Sequence, residues 1–499
     1  MGKLIHTGVV VVGTGFSGMG MAIQLRKQGR EDFVVLEKAA DFGGTWRDNS
    51  YPGCACDIQS HMYSFSFEPK ADWSRAFAPQ PEIHQYMRDV AAKWDLARST
   101  RFGVEVTGAR WDEEENRWYV ATRSGDTYVG QYLVSGIGAL HVPQVPHLEG
   151  IEDFQGATFH SAQWDHDYDL TGKRVAVIGT GASAIQFTPR IAKQVEHLTL
   201  FQRTPPWVMP KPDHAIPGWA KSAFAKVPGA YRGYRNFLYW LNEVRAVGFN
   251  GHLGVLKAAS KLAEMNIKRS VKDPDLVAKL TPDYVMGCKR VLISNDYYPT
   301  FNRPNVDLET SGVARVTANG IVTGDGREVE VDAIIYGTGF QVVDAMQHLD
   351  ITGRDGVELG KLWAEAGINT YNGINVAGFP NLFFLLGPNT GLGHNSVVFM
   401  IEAQLTYIRE AMALAEQHNV EAIDVRASAQ ERFNAEIQRK LRDGVWTQGG
   451  CQSWYLDAQG VNRTLWPGFT WRYWLRTRKV DAADFELITR SRTPQLAGR

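Results

Sequence analysis

Residues 154–165 read FQGATFHSAQWD, and they connect two glycine-rich turns, GTGFSG at residues 13–18 and GTGASA at residues 179–184. Each turn follows a short apolar run and opens a helical pattern of apolar residues, as in a βαβ unit that binds a dinucleotide. One such turn alone would be weak evidence. Two of them in one chain, joined by this segment, predict an α/β protein with two Rossmann-like domains that holds two nucleotide cofactors.

The first βαβ unit begins with the β-branched run Val9–Val12, which is typical of a parallel strand buried on both faces. In the turn, Gly13 permits a tight bend, Gly15 lets the backbone approach a pyrophosphate, and Gly18 lets the next helix pack closely on the sheet. The second strand of the unit ends at Glu37, whose carboxylate can accept hydrogen bonds from the ribose hydroxyls of an adenosine.

The second unit differs from the first at one informative position. Arg203 follows the second turn at the same interval at which Glu37 follows the first turn, and Thr204 comes next. An arginine at this position can bind a 2′-phosphate through paired N–H groups. The exchange of an acid for a base predicts that the first unit binds FAD and that the second binds NADPH.

The composition excludes several classes of protein. A chain of 499 residues exceeds one ordinary core, so two or three domains are expected. The formal net charge of −1 gives no electrostatic reason to expect nucleic acid as a partner. No run reaches the roughly 18 apolar residues of a membrane span.

The cysteines and histidines point to no disulfide framework and to no metal. The four cysteines, at positions 54, 56, 288 and 451, are too few and too scattered for such a framework, so a reducing cytoplasm is the expected location. His160 and His166 form no spacing with acids or thiols that suits a metal ion.

Residues 205–283 differ in character from the rest of the chain, with helical periodicity, many aromatic side chains and scattered lysines and arginines. A helical subdomain inserted into the second nucleotide-binding domain is the favoured interpretation. An amphipathic helix on a membrane surface is the alternative, although the basic residues do not separate cleanly from the apolar ones.

A third glycine-rich segment, GPNTGLGHNS at residues 387–396, opens the apolar helix predicted at Val397–Ala413. The N-terminus of such a helix can stabilise negative charge on a reduced flavin ring. An ordinary capped helix is the alternative interpretation.

The fingerprint of type I Baeyer–Villiger monooxygenases, F-x-G-x-x-x-H-x-x-x-W-[P/D], is matched by Phe154, Gly156, His160, Trp164 and Asp165. The resemblance covers nearly the whole chain, because further motifs follow in the family's order: GGTW at 43–46, YPGCACD at 51–57, KR at 289–290 before DYY at 296–298, and FNRPNV at 301–306. It implies an FAD domain at 1–142 and 379–499, an NADP domain at 143–204 and 284–378, and a helical subdomain at 205–283.

Carried over position by position, the resemblance implies two sets of cofactor ligands. The FAD set is Gly13, Gly15, Gly18, Glu37, Gly44, Thr45, Trp46, Asp57, Tyr63, Val106 and Asn389. The NADPH set is Gly179, Thr180, Gly181, Ser183, Ala184, Arg203, Thr204, Lys289 and Arg290.

The resemblance also implies catalytic roles. Arg290 matches the family's catalytic arginine, and Asp57 matches its partner acid. His160 matches a histidine that supports the joint between the domains instead of contacting substrate. The tail from Cys451 to Trp474 resembles a segment that closes over the nicotinamide, although it is shorter than in the larger enzymes for cyclic ketones.

The implied reaction uses NADPH, O₂ and a small ketone. Reduced FAD would react with O₂ to give a C4a-peroxyflavin, and one oxygen atom would be inserted next to the carbonyl to form an ester or lactone. The permanent charge of Arg290 would stabilise the oxyanions, and Asp57 would orient its guanidinium.

Two other flavoenzyme activities stay open. One is a monooxygenase that oxidises sulfur or nitrogen of a small molecule. The other is a disulfide reductase, which would need a redox pair such as C-x-x-C beside the flavin, whereas Cys54 and Cys56 are spaced more tightly.

Overall fold

Two β-sheets, one behind each glycine-rich turn, form the framework of the protein. The computed structural model describes residues 2–342, 350–451, 453–457 and 459–489. In chain order its strands are β1 Leu4–Val12, β2 Phe33–Glu37, β3 Thr100–Phe102, β4 Val106–Asp112, β5 Arg117–Thr122, β6 Thr127–Ser135, β7 Ala157–His160, β8 Arg174–Ile178, β9 His197–Phe201, β10 Val208–Met209, β11 Leu292–Ile293, β12 Val306–Glu309, β13 Val313–Thr317, β14 Gly320–Thr323, β15 Glu328–Glu330, β16 Ala333–Tyr336, β17 Asp350–Thr352, β18 Leu382–Phe384, β19 Ala422–Val425 and β20 Phe485–Ile488. Its α-helices are α1 Phe16–Lys27, α2 Thr45–Asp48, α3 Gln80–Lys93, α4 Ala184–Ile191, α5 Gly218–Lys226, α6 Ala230–Glu243, α7 Ala246–Phe249, α8 Leu253–Ser270, α9 Pro274–Leu280, α10 Tyr297–Thr300, α11 Leu359–Ala366, α12 Val397–Gln417, α13 Ala427–Arg442, α14 Val445–Gln448 and α15 Thr470–Thr477.

The first sheet has the strand order β17-β4-β5-β6-β1-β2-β3, and β18 also pairs with β6. β1 runs parallel to both β2 and β6, as the first βαβ unit requires. Val9 and Val11 belong to one hydrophobic core, and Val10 belongs to another. Because successive side chains of a strand point to opposite faces, β1 is buried on both sides, which agrees with the prediction.

The second sheet has the strand order β12-β9-β8-β16-β7, and all its strands are parallel. The turn 179–184 follows β8 and leads into α4, so the second βαβ unit has the predicted form. The segment 154–165 contains β7, which pairs with β16 at the edge of this sheet. The fingerprint is therefore the edge strand of the second half and the turn that follows it.

The chain crosses twice between the two halves, and the two crossings lie side by side. Gln144 N donates to Gly339 O at 2.8 Å, and Gln341 N donates to Val142 O at 2.9 Å. These paired linkers leave the ends of β6 and β16, next to the two glycine-rich turns.

The first glycine of each turn lies directly against a linker. A Cβ atom at Gly13 would come within 2.7 Å of Gly136 O, and one at Gly179 within 2.5 Å of Gly337 O. Both glycines also have positive φ angles, 95° and 106°. A side chain at either position would push the turn away from the linker and strain the backbone.

The chain rejoins the first sheet before residue 379, the limit that the sequence predicts for the second FAD-domain segment. β17 pairs with β4, and its three residues belong to the first sheet. A strand of this length carries too few residues for a periodic pattern, so the sequence gives no signal for it.

Residues 218–280 form the predicted helical region, in the helices α5 to α9. Residues 205–217 instead contain no helix, and within them β10 pairs with β11. The side chains of Phe237 and Trp240 on α6, and of Val244 directly after it, form an exposed apolar stripe, with exposures of 59%, 56% and 67%. Across the described residues, helices with both the length and the apolar character of a bilayer span are absent.

The inner side of α6 contains a buried carboxylate. Glu243 is 1% exposed and accepts hydrogen bonds from Thr470 N at 3.0 Å, Thr470 Oγ1 at 2.7 Å and Asn395 Nδ2 at 2.8 Å. His394 Nε2 lies 3.3 Å from the same side chain. These partners join the helical subdomain to the start of α12 and to α15.

His61, in a loop of the first half, is enclosed by aromatic rings of the helical subdomain. Its ring lies 4.8 Å from that of Phe224 and 5.1 Å from that of Tyr234, and the side chain is 1% exposed. Burial, together with the charge of Arg235, lowers the pKa of His61 from 6.5 to about 4. The imidazole is therefore neutral at this contact at neutral pH.

We predict that protonation of His61 loosens this contact in mild acid. Because the unfolded chain binds a proton near pH 6.5 and the folded one only near pH 4, the stabilising contribution is complete above pH 6.5 and is lost as the pH falls toward 4. Between pH 7.5 and 5 the loss should be about 2 kcal/mol.

The measurement is urea denaturation of the wild type and of His61→Gln at both pH values, since glutamine cannot take up a proton. The wild type should lose more stability than the variant by that amount. Parallel losses in the two proteins would contradict the assignment.

Candidate active site

A cavity of about 400 Å³ begins at the first glycine-rich turn and extends along the end of the first sheet to Arg290. Of the residues predicted to contact FAD, its wall includes Gly13, Gly15, Glu37, Gly44, Thr45, Trp46, Tyr63 and Val106. Gly18, Asp57 and Asn389 are not among its lining residues. Gly18 instead lies against the turn, since a Cβ atom there would come within 1.9 Å of Gly13 O.

At one end of the cavity, Gly15 of the first turn and Gly44 face each other without side chains. A Cβ atom at Gly44 would come within 2.9 Å of Gly15 Cα, so a side chain at this position would narrow the space between these two segments. Glu37 is 5% exposed and accepts hydrogen bonds from Thr14 N at 2.9 Å and Thr14 Oγ1 at 2.7 Å. This end of the cavity fits the pyrophosphate and ribose of FAD.

Arg47 is a residue of this end that the sequence analysis missed. It lines the cavity, and its Nη1 atom lies 3.2 Å from Glu37 Oε1. A guanidinium beside two glycine turns can balance the charge of a pyrophosphate. The available signal was a basic residue directly after Thr45 and Trp46 in the short helix α2.

Aromatic side chains enclose the middle of the cavity. Trp46 Nε1 donates a hydrogen bond to Tyr63 OH at 3.2 Å, and the two rings meet edge to face with centroids 5.5 Å apart. Burial raises the pKa of Tyr63 well above its ordinary value, so the phenol stays neutral. These flat, neutral groups suit the wall of a flavin site.

Arg290 and Asp57 form an ion pair at the far end. Arg290 Nε and Nη2 both donate to Asp57 Oδ2, at 3.0 and 2.6 Å. The carboxylate raises the pKa of Arg290, which therefore carries its charge at every working pH. The guanidinium keeps 36% of its side-chain surface exposed and lines the cavity, so one side of it is free to meet a ligand.

The NADPH residues predicted in the second half surround the turn 179–184, where a helix N-terminus follows the glycines. Thr180 Oγ1 donates to Thr204 O at 3.2 Å, which joins the turn to the segment after β9. Gly181 is exposed and Ser183 is half-buried, with Ala184 buried at the start of α4. This arrangement leaves the turn accessible to a dinucleotide.

Lys289 and Arg203 bring two positive charges to this second site. Burial lowers the pKa of Lys289, and the nearby charge of Arg203 lowers it further. Two cations held close together repel each other unless an anion lies between them. The pair therefore fits the 2′-phosphate of NADPH.

Gln186 in α4 ties the Asp57 loop to the second half, and the sequence analysis did not single it out. Its amide nitrogen donates to Ala55 O at 3.0 Å, and its amide oxygen accepts from Ala55 N at 3.2 Å and from Tyr51 OH at 3.0 Å. No motif marks this residue, because an amide within an amphipathic helix gives no distinctive pattern.

The fingerprint residues lie away from the cavity wall. His160 is 2% exposed, its Nδ1 atom accepts a hydrogen bond from Ala162 N at 3.1 Å, and its ring meets Phe340 of the linker edge to face. Trp164 packs on Phe187 of α4, with ring centroids 5.2 Å apart. Phe154 covers Gly156, where a Cβ atom would come within 2.4 Å of its ring. These contacts support the role at the joint that the resemblance implies for His160.

Asn389 binds the tail. Its Nδ2 atom donates to Asn462 O at 3.0 Å and to Leu465 O at 3.1 Å, and the residue is 1% exposed. With its amide directed at these carbonyls, the predicted FAD contact of this side chain rests on the resemblance alone.

The sequence predicts no disulfide framework, and the structure joins two of the four cysteines in a single bond. Cys288 and Cys451 form a disulfide, although 163 residues separate them. Cys54 and Cys56, the closest pair in sequence, are buried and unpaired. Burial raises the pKa of Cys54 to about 12 and that of Cys56 further, so neither thiol is activated for disulfide reduction.

Comparisons with known proteins agree with this geometry. A family model described as pyridine nucleotide-disulphide oxidoreductase matches residues 10–233. A Baeyer-Villiger monooxygenase of Pseudomonas aeruginosa is 51% identical over 485 residues, which cover 97% of this chain and 92% of that protein. A Baeyer-Villiger monooxygenase of Streptomyces coelicolor is 46% identical over 487 residues, covering 97% and 93%.

Solved structures give the same result. Cyclohexanone monooxygenase from Rhodococcus sp. Phi1 bound to NADP+ is similar with a TM-score of 0.88 at 30% identity, over 98% of this chain and 100% of that chain. Oxidized steroid monooxygenase bound to NADP has the same TM-score and identity, over 97% and 99%. The chain belongs to the type I Baeyer–Villiger monooxygenases, the flavoprotein enzymes that depend on FAD and NADPH.

Proposed function

We propose that Arg290 is the catalytic cation of this enzyme, that Asp57 is its positioning acid, and that the substrate is a small ketone. The observation that carries the proposal is the Arg290–Asp57 ion pair, which stands at the end of the FAD cavity and next to the Lys289–Arg203 pair. The reaction would convert a ketone, O₂, NADPH and a proton into an ester or lactone, NADP+ and water.

When bound, FAD would accept hydride from NADPH and would activate O₂. The residues that would hold it are Gly13, Gly15, Gly44, Glu37 and Arg47 at one end and Trp46 and Tyr63 in the middle. The second turn, with Arg203 and Lys289, would hold NADPH.

Arg290 would stabilise negative charge on oxygen as it passes to the ketone. When an oxygen nucleophile attacks a carbonyl carbon, the carbonyl oxygen becomes an oxyanion. A guanidinium stabilises that charge without exchanging a proton. Because its charge is fixed and one face of it lines the cavity, Arg290 needs no change of protonation during the cycle.

Asp57 would hold the guanidinium in one orientation. Two of the three guanidinium nitrogens, Nε and Nη2, donate to one carboxylate oxygen, so Nη1 would be the nitrogen available to a ligand. The Asp57 loop is in turn held by Gln186, so the position of the cation depends on contacts between the two halves.

We also propose the cytoplasm as the location of the protein, as its cofactor NADPH and its small number of cysteines suggest. The disulfide near Arg290 is uncommon for that compartment.

We predict that Arg290→Ala retains FAD but forms ester from ketone at a rate at least about 100-fold lower, since an oxyanion-stabilising donor has been removed. FAD content is measured by absorbance and ester by gas chromatography. Arg290→Lys should recover part of the activity, because it keeps the charge but not the paired donors. Arg232→Ala, at an exposed position on α6, is the matched control. Ester formation close to that of the wild type in Arg290→Ala would contradict the catalytic role.

We predict that Arg203→Ala raises the KM for NADPH about 10- to 100-fold, because it removes charge-assisted hydrogen bonds to the 2′-phosphate worth roughly 1.5–3 kcal/mol. NADH lacks that phosphate and serves as the control substrate, so its KM should change less than about twofold. Steady-state oxidation of the two nucleotides is the measurement. An equal rise for NADH would show that Arg203 does not read the phosphate.

A further inference from the structure

The Cys288–Cys451 disulfide joins the arginine-bearing segment to the C-terminal tail. The two Cα atoms are 6.2 Å apart. Cys288 precedes Lys289 and Arg290 directly in sequence, and Cys451 opens the tail. A covalent bond therefore links the tail to the segment that contributes one residue to each of the two nucleotide sites.

The tail residues that follow Cys451 reach the wall of the active site. Trp454 lines the cavity together with Arg290. Tyr455 is 1% exposed, and burial raises the pKa of its phenol to about 12, opposed by the positive charge of Arg290. The position of this short stretch decides how the Arg290 end of the cavity is covered.

Few hydrogen bonds join this stretch to other parts of the protein. Among the described residues from 450 to 456, two hydrogen bonds stay within the stretch, from Leu456 N to Ser453 O and from Tyr455 N to Ser453 Oγ, and Leu456 forms a backbone bridge with Asn462. Tyr455 packs in the hydrophobic core. Firm attachment resumes at the Asp457–Arg463 ion pair and, before the stretch, at the bond from Val285 N to Gly449 O. Between these two anchors the disulfide is a covalent cross-link, in addition to the backbone, from the stretch to Cys288.

We propose that Cys288 and Cys451 form a reversible oxidation site that fixes the tail over Arg290 when the two sulfurs are bonded and releases it when they are reduced. Cys451 is half-buried and Cys288 is fully buried, so exchange begins at the Cys451 sulfur. A cytoplasmic disulfide is uncommon and is usually catalytic or redox-sensing. This one belongs to the second kind.

The chemistry balances with one dithiol or one peroxide. A dithiol thiolate attacks the Cys451 sulfur, which breaks the Cys288–Cys451 bond and releases the Cys288 thiolate. The second thiol of the dithiol then attacks its own sulfur in the mixed disulfide and releases the Cys451 thiolate. The two thiolates take up the two protons of the dithiol, which is oxidised by two electrons to its own disulfide. Hydrogen peroxide reverses the change, because the two thiols give up two electrons and two protons and peroxide becomes two molecules of water.

The test begins with thiol counting on the FAD-loaded protein. After exposure to hydrogen peroxide and its removal, the denatured wild type should expose two thiols, those of Cys54 and Cys56, and after dithiothreitol all four. Peptide mapping should recover a 288–451 linked peptide only from the oxidised sample. Four thiols after both treatments would overturn the proposal.

The second measurement asks whether the bond controls the tail. Reduced wild type should be cut by chymotrypsin after Trp454 or Tyr455 faster than oxidised wild type. It should also bind NADP+ about fivefold more weakly, the lower end of the coupling expected between linked sites. Cys451→Ser should behave like the reduced wild type, with no further response to dithiothreitol. Equal cleavage and equal NADP+ affinity in the two wild-type forms would also overturn the proposal.

Cleavage and thiol counts do not depend on the role proposed for Arg290, whereas a change in ester formation does. If Arg290→Ala stays active while reduction still frees the tail, the catalytic assignment fails and the oxidation site stands. The wild-type comparison also holds if Cys451→Ser does not fold.

Discussion

The ion pair between Arg290 and Asp57 is the interaction on which the proposed active site depends, because its two members come from different halves of the chain. A guanidinium at the end of a mostly enclosed cavity is costly unless a carboxylate neutralises it. Asp57 of the first half therefore neutralises the charge that Arg290 of the second half brings to the cavity. The pair aligns the end of the FAD cavity with the second nucleotide site, whose Lys289 is the neighbouring residue in the chain.

The rest of the structure keeps these two halves in register. Paired linkers lie beside the glycine turns, Gln186 binds both backbone atoms of Ala55, and His160 packs on the returning linker. Gln186 and His160 do not line the cavity, whereas the first linker does, through Gly136 to His141. The common effect of these contacts is to fix the position of one βαβ unit relative to the other.

The sequence predicts the fold well because a local sequence pattern marks each βαβ unit. A β-branched run, three small residues at fixed spacing and an acid or a base at the end of the next strand are all close together in the chain. The position of Glu37 on the cavity wall follows from those local patterns. Arg290 and Asp57, by contrast, are 233 positions apart, and only the resemblance to a family brought them together.

Features without a local pattern stayed hidden. The Cys288–Cys451 bond spans 163 residues, so the sequence alone does not distinguish its two cysteines from unpaired ones. Gln186 and Arg47 are ordinary residues of helices until their partners are known. The three-residue strand β17 and the helix-free stretch 205–217 are too short for their periodicity to be read. Asn389 is the opposite case. It lies in a glycine-rich motif that suggests a cofactor site, but its amide donates hydrogen bonds to the tail.

The buried carboxylate of Glu243 bears on how such enzymes can diverge or be recombined. Its hydrogen-bond donors come from residues 394, 395 and 470, whereas the carboxylate itself belongs to the inserted helices. A chimera whose insertion lacked this carboxylate, or whose C-terminal part lacked these donors, would leave donors without an acceptor or an unsatisfied charge in the interior. The insertion and residues 394–470 are therefore best exchanged together, or between parents that share this network.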